Sequence, residues 1–315
     1  MKIGLCLPIG ERGPERRPPR YQEMRALALM AEHGNLDSVW VADHIFFLNE
    51  GEEPRGIWES MTMLAALAEA TTKVEFGPLV MCTPFRNPGL IAWMANTLEE
   101  ISGGRFVLGL GAGWHQPEFD AFGFEFDHKV SVFEDSLEVI IPLLREGTVD
   151  YDGKWASGHA ELRPKGPRGG GPPILIAGTM PRMMRLTAKW ADRWNSVWYG
   201  LPTDQFRDER SNLNDALAAA GRDASSIEVS AGVAVKDSRI IDRNDGDGIR
   251  GTVEDITEAL AAWHSEGVDE VMCRLEPPSL DLVEVIADAA APFRADANAD
   301  VQLEVETASA LAADD

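Results

Sequence analysis

Three short stretches carry residue types at spacings able to do chemistry. The first is Asp43-His44, directly after the apolar run Ser38-Val39-Trp40-Val41-Ala42. A histidine beside a carboxylate can shuttle protons near neutral pH. The same two residues also allow a purely structural reading, in which Asp43 bonds a loop backbone and His44 is packed. The second stretch is Gly109-Leu110-Gly111-Ala112-Gly113, followed at once by Trp114, His115 and Glu118. A dinucleotide fingerprint fails here because its third glycine is missing and position 114 is Trp. A methyltransferase-type glycine loop normally sits on a chain's first strand, and three strand-helix units precede this one. The glycines are therefore read as steric, letting a planar ligand or a neighbouring loop come close to the backbone. Trp114, His115 and Glu118 then either line the same mouth or form an ordinary packed loop.

The third stretch is Ile176-Ala177-Gly178-Thr179-Met180-Pro181-Arg182. It predicts a strand end, a glycine turn and a helix with Pro at its first position. Free amides at that helix start, with the Thr179 hydroxyl and Arg182, would cradle a phosphate, although a plain helix start reads the same way. Upstream lies a local basic run, Arg163-Pro164-Lys165-Gly166-Pro167-Arg168, which is either a source of cationic contacts or a solvated loop. His33, His128, His159 and His264 are scattered without metal-site spacings, so no metal is expected. Trp40, Trp93, Trp190 and Trp263 read as core, and no G-x-S-x-G signature of a serine nucleophile is present.

Positioning these residues requires regular elements, and the chain supplies them in alternation. Strands are predicted at residues 2–7, 38–42, 74–81, 106–110, 174–177, 195–198, 227–233 and 268–274. Helical periodicity is predicted at residues 21–33, 58–71, 90–101, 130–145, 182–191, 204–220, 253–265 and 280–291. Eight strands each followed by a helix describe a single (β/α)8 TIM barrel, in preference to an open doubly wound sheet, because eight parallel units close without edges. Insertions are expected after strand two (43–56), strand four (111–128) and strand seven (236–250), and before strand five. The last, residues 146–173, contains a small hairpin around Asp152-Gly153. The barrel is assigned to residues 1–294. Residues 295–315, rich in Ala, Asp and Glu, are expected to form a disordered tail.

Composition bounds the partners. The 315 residues are 44% hydrophobic and 26% charged, a globular balance, and 52 acidic against 29 basic residues give a net charge of −23. Such a charge repels phosphate backbones and anionic membranes, so neither nucleic acid nor membrane is an expected partner. The start of the chain has no signal-peptide pattern, and no apolar run reaches the roughly 18 residues of a membrane span. A soluble cytoplasmic protein is the expectation. Cys6, Cys82 and Cys273 are odd in number and lie in apolar runs, which favours buried thiols over disulfides.

Several stretches together resemble the bacterial luciferase-like barrel oxidoreductases, and particularly their branch dependent on the deazaflavin coenzyme F420. They are Val39-Trp40-Val41-Ala42-Asp43-His44, Thr83-Pro84-Phe85-Arg86-Asn87-Pro88, the run from Leu98 to Phe106, Leu108-Gly109-Leu110-Gly111-Ala112-Gly113-Trp114, and Pro172 to Gly178 with Arg182 and Ala191-Asp192. The resemblance covers about residues 1 to 293. It implies a flavin-type ring over the barrel mouth, near Gly111, Ala112, Gly113 and Trp114, with its phosphate at Gly178, Thr179, Met180 and Arg182. It also implies a non-prolyl cis peptide within Val80-Met81-Cys82 backing the ring, and a catalytic His44 with Asp43 beside it. His115 and Glu118 are the further acid-base candidates. A sugar-phosphate-oxidising branch has a Glu just after the strand-four glycines; Trp114 stands there in this chain, so that branch's chemistry is not carried over.

Coenzyme F420 is the favoured cofactor, with hydride transfer to or from an unidentified small-molecule substrate. Its anionic tail would find Arg163, Lys165, Arg168, Arg182 and Arg185. FMN, serving a monooxygenase that uses reduced flavin and O2, is the alternative. A barrel that binds the cofactor without turnover is the alternative of a different class, and a homodimer is expected.

Overall fold

A strand buried on both faces must be apolar throughout, and a parallel strand needs a helix to return the chain. Both demands are visible in β2, Ser38–Val41, whose four residues are all buried. The computed structural model describes residues 1–12, 16–237 and 248–294. Among the described residues ten strands make one parallel sheet, nine of them in one continuous path: β1 Lys2–Leu7, β2, β3 Glu75–Pro78, β4 Met81–Cys82, β5 Leu108–Gly111, β6 Ile174–Ala177, β7 Arg193–Tyr199, β8 Glu228–Lys236 and β9 Glu270–Glu276, while the two-residue strand Ile249–Arg250 pairs with β8 off that path. The order along the path is β3-β2-β1-β9-β8-β7-β6-β5-β4. The ring closes between β3 and the residues entering β5, where Phe76 N–H donates to Arg105 C=O at 3.1 Å and Val107 N–H to Phe76 C=O at 2.9 Å. β3 and β4 are thus two halves of the third of eight barrel strands, so the chain folds as the expected α/β barrel.

That broken strand departs from the sequence reading, which takes residues 74–81 as one run. The chain bulges at Leu79-Val80, whose peptide bond is cis. The bond lies at the near edge of the expected Val80-Met81-Cys82 window and not inside it. A second non-prolyl cis peptide, Val197–Trp198, accompanies a register shift between β7 and β8.

Among the described residues the α-helices are α1 Tyr21–His33, α2 Ser60–Ala70, α3 Pro88–Ser102, α4 Gln116–Phe122, α5 Lys129–Arg145, α6 Pro181–Trp190, α7 Asp204–Ala219 and α8 Val253–Ser265, with a ninth over 280–294. α4 sits inside what the sequence reads as a loop after strand four. The other insertions carry small ladders, Phe46–Phe47 with Arg55–Gly56, and the expected hairpin of Thr148–Asp152 with Ser157–Glu161. The loop expected after strand seven lies for the most part, at 238–247, outside the described residues, as does the tail at 295–315.

Apolar packing falls into two compartments. The larger lies between sheet and helices; a smaller one of Trp40, Val107, Leu175 and Met272 fills the barrel's inside, joined by Leu79 and Val80 of the bulge. Below it, the first residues of five strands are tied together by charge: Arg193 bonds Glu75 at 2.9 Å and Glu228 at 3.1 Å, Lys2 reaches both acids, and Arg193 stands 4.0 Å from Glu270. Ser38, first residue of β2, donates to the buried Glu270 carboxylate, and Trp40 Nε1 donates to it at 3.1 Å. The N-terminal end of the barrel is therefore plugged. Side chains meant for chemistry must work from the other end, where the longest loops emerge.

Candidate active site

His44 leaves β2 three residues past its end and turns to a carboxylate that the sequence does not place beside it. Its Nδ1 lies 2.8 Å from Oε2 of Glu118, on α4. Glu118 is buried, and its other oxygen accepts the N–H groups of Ile45 and, at 3.3 Å, Phe46. A carboxylate can only accept, so Nδ1 donates to Glu118 and Nε2 is the ring nitrogen left to face elsewhere. Pro117 in the first turn and Gly123, in left-handed conformation at φ 71°, delimit the two-turn α4 that delivers Glu118.

His115, immediately before α4, is buried. Its Nε2 accepts the Leu48 N–H at 3.0 Å, which requires an unprotonated Nε2. Burial pushes its pKa below the ordinary histidine range, against the opposing pull of Glu118. The aromatic neighbourhood of His44 is completed by Phe47, with ring centroids 4.2 Å apart, and by Trp114, edge-on at 5.6 Å and 65% exposed.

Asp43 takes a different part from the one its adjacency to His44 suggests. It is buried, and both its oxygens are occupied: Arg86 clamps it with bonds of 2.7 and 2.8 Å, Ser60 Oγ donates at 2.5 Å, and the Cys82 N–H donates at 2.8 Å. This is the structural reading of the pair's first member, since Asp43 fixes the strand segment just beyond the bulge. Arg86 also reaches Glu59, whose carboxylate caps α2 through Met61 and Thr62. Spacing gave no hint of Arg86 as a partner, although it lies within Thr83-Pro84-Phe85-Arg86-Asn87-Pro88.

The glycine run serves the close approach of a neighbouring segment of chain. A Cβ on Gly111 would stand 2.7 Å from Val80 Cγ2. One on Gly113, at φ 77°, would stand 2.5 Å from Cys82 Sγ and 2.7 Å from Phe119. Ala112 and Met81 are buried, so Val80, Met81 and Cys82 pack against Gly111 to Gly113 as one backing wall. Burial, and after it the Asp43 and Glu118 carboxylates, pushes the Cys82 thiol well above its ordinary pKa, so it is no nucleophile.

On the far side of the mouth, α6 starts at Met180 with no side chain capping its first amides. Gly178 and Thr179 are half-buried, Met180 is exposed, and Arg182 bonds Glu134 and, at 3.0 Å, Ser131 Oγ. The basic run is displaced from this place. Arg168 is locked onto Glu99 and the Phe106 carbonyl, at the entrance of β5, and Lys165 onto the Glu146 carbonyl. Residues ahead of a parallel strand enter at the end opposite to the mouth, so Arg163, Lys165 and Arg168 lie apart from Arg182 and do not form the shared basic patch that the sequence suggests.

The fold and this mouth define the class: a (β/α)8 barrel with a bulged third strand and a histidine-carboxylate pair at its C-terminal rim. Residues 1–239 match the luciferase-like monooxygenase family, and the chain belongs to it. It is 30% identical over 244 residues to a pyrimidine monooxygenase RutA of Agrobacterium fabrum, covering 72% of this chain and 66% of that protein. It is likewise 30% identical over 228 residues to the 5,10-methylenetetrahydromethanopterin reductase of Archaeoglobus fulgidus, covering 71% and 64%. The chain thus spans slightly under two thirds of the length of these relatives.

Among solved structures, the coenzyme F420-dependent tetrahydromethanopterin reductase of Methanopyrus kandleri superposes with a TM-score of 0.77 at 18% identity, over 93% of this chain and 99% of that one. The monooxygenase RslO1 of Streptomyces bottropensis superposes at 0.78 and 19%, over 93% and 100%. At these identities the likeness is one of fold. The family rests on the match over residues 1–239, and the similar chains include both a monooxygenase and a reductase. Among the described residues no helix is long and apolar enough to cross a membrane.

Proposed function

We infer that the protein is an oxidoreductase that passes a hydride between coenzyme F420 and a small organic substrate, with His44 as the group that holds and moves the accompanying proton. The observation that carries this reading is the 2.8 Å contact of His44 Nδ1 with buried Glu118, which leaves Nε2 available at the rim of the barrel.

The residues present fit a flavin-type cofactor in two respects. The uncapped start of α6 offers amide N–H groups to a phosphate. The wall of Val80, Met81, Cys82 and Gly111 to Gly113, with exposed Trp114 beside it, offers a flat apolar backing. Arg182 is engaged with Glu134, but both partners are about two-fifths exposed, and such an ion pair contributes about 0 to 1 kcal/mol. A charge-assisted bond to phosphate contributes about 1.5 to 3 kcal/mol, so Arg182 gains by turning to it. Coenzyme F420, when bound, supplies hydride transfer at its C5 and reacts poorly with oxygen.

The rest is done by the chain. Glu118 fixes the tautomer of His44 and stabilises its charge when Nε2 takes up a proton. Asp43 and Arg86 hold the backing wall, and His115, neutral through its bond to Leu48, braces the loop that carries His44. A second reading, a monooxygenase using reduced FMN and O2, is supported by the 30% identity to the pyrimidine monooxygenase, equal to that with the reductase. Titrating the purified protein with F420 and with FMN, then following oxidation of each reduced cofactor with and without oxygen, separates the two. Tight F420 binding with acceptor-dependent, oxygen-independent oxidation is expected. Binding of FMN alone, with oxygen consumed in step with substrate, overturns the F420 reading.

A further inference from the structure

A cavity of about 390 Å3 opens at the rim of β1, β2 and β9, and its charged lining is Arg12, Arg55 and Arg274 against Glu11 and Glu276. On a chain of net charge −23, a cavity with more cations than anions runs against the average. Its carboxylates are also already engaged. Glu11 accepts the Gly56 N–H at 3.0 Å. Glu276 accepts from Arg274 at 2.6 Å and faces Lys236 at 3.8 Å.

Arg274 spends a donor on Glu276, yet the guanidinium groups together keep donors to spare. Arg12 has a carbonyl, that of Leu275, at 3.4 Å, and among the described residues the carboxylate nearest to Arg55 is Glu52 at 3.9 Å. Among the described residues, the buried Nε–H groups of Arg55 and Arg274 have no acceptor. Five donors per guanidinium, so few acceptors and a partly desolvated site leave hydrogen-bonding capacity that a planar oxyanion would fill.

Position ties this cavity to the chemistry. Along β9 the side chains that face inward rise from Glu270 in the plug through Met272 in the inner core to Arg274, which therefore stands at the floor of the mouth. Arg274 lies 4.5 Å over the ring of Trp198, whose aromatic face holds a guanidinium in one orientation. Arg55 lies 5.6 Å from the ring of Phe47, which lines the cavity and meets the His44 ring at 4.2 Å.

We propose that Arg12, Arg55 and Arg274 hold the carboxylate of the substrate, which lies from this cavity across Phe47 toward His44, so that the enzyme acts on small organic carboxylic acids. The proposal names the substrate class of the site read above and rests on that reading. Its test uses binding alone. Acetate, phenylacetate and benzoate are each titrated against the corresponding amide by calorimetry, into the protein and into its Arg274→Gln and Arg55→Gln variants, with circular dichroism as the check on folding. At least one carboxylate is expected to bind about tenfold to a hundredfold more tightly than its amide, with the preference lost in a folded variant and F420 affinity kept within about threefold. Amides binding as well as every carboxylate, a preference that survives both substitutions, or inorganic phosphate binding more tightly than any of the three overturns it. Wild-type protein that binds neither cofactor but keeps the carboxylate preference defeats the hydride-transfer reading while the carboxylate site itself stands.

Discussion

Arg86 grips Asp43 through two parallel hydrogen bonds, Nη1 to Oδ2 at 2.7 Å and Nη2 to Oδ1 at 2.8 Å, across 43 residues of sequence and in a nearly dry site. Removing one partner of such a pair leaves the other charge buried and unmatched, which costs about 3 to 5 kcal/mol. Arg86→Ala is expected to lower stability by that amount. Arg86→Lys should recover only part of it, because a point charge cannot reproduce the forked geometry. Urea midpoints of the two variants check this; an Arg86→Ala protein as stable as the parent would mean that the clamp is not formed in solution.

Gly113 tests the backing wall from the other side. An alanine there meets Cys82 Sγ at 2.5 Å and the Phe119 ring at 2.7 Å while forced to φ 77°. Overpacking of this kind costs about 1 to 3 kcal/mol. Gly113→Ala is expected to lose that much stability and to weaken cofactor binding, whereas Gly103→Ala, also at positive φ but with open space around it, should lose stability alone. Equal cofactor affinity in both variants would separate the wall from the cofactor.

His115 gives a pH dependence whose sign is fixed by its burial. Its folded-state pKa lies below the ordinary value of 6.5, so between the two values the unfolded chain binds the extra proton and the folded chain does not. Stability therefore falls as pH drops below about 6.5. In His115→Gln this component is absent. The loss in unfolding free energy from pH 7.5 to pH 5.5 should be smaller in that variant than in the parent; the same loss in both would show that His115 does not titrate with folding.

Much of the barrel was legible because parallel strands and returning helices leave different periods in the chain. Trp40 and Val41, both buried, read as a continuous apolar run, and Tyr21–His33 repeats with helical spacing. α4 was not legible, since seven residues containing a proline show too little period. His44 was placed correctly at a strand end, yet its partner Glu118 is 74 residues away, and only the return of the chain after strand four brings them together. Asp43, the sequence neighbour, is turned instead to Arg86, Ser60 and the Cys82 N–H, partners 17 to 43 residues away. Arg168 misled for a reason the sequence did contain: it precedes a parallel strand, and residues before a strand belong to the opposite end of the barrel from those after it.

The His44–Glu118 pair carries the most direct kinetic prediction. A positioned acid or base contributes about 10² to 10⁴ in rate, so His44→Gln is expected to slow hydride transfer by that factor, with F420 affinity changing far less because phosphate contacts at α6 dominate it. Glu118→Gln keeps the size of the side chain, but its amide can present an N–H to Nδ1 and so favour the tautomer that puts the proton on Nε2. Its rate should fall as well, and its pH profile should shift, since the imidazolium form loses its balancing carboxylate. Reduced cofactor premixed with enzyme and rapidly mixed with an acceptor gives the rate, and a binding titration runs beside it. Turnover that survives His44→Gln within a fewfold while affinity collapses would make His44 a binding residue. A Glu118→Gln enzyme with the parent's rate and pH profile would reduce the 2.8 Å contact to a packing detail.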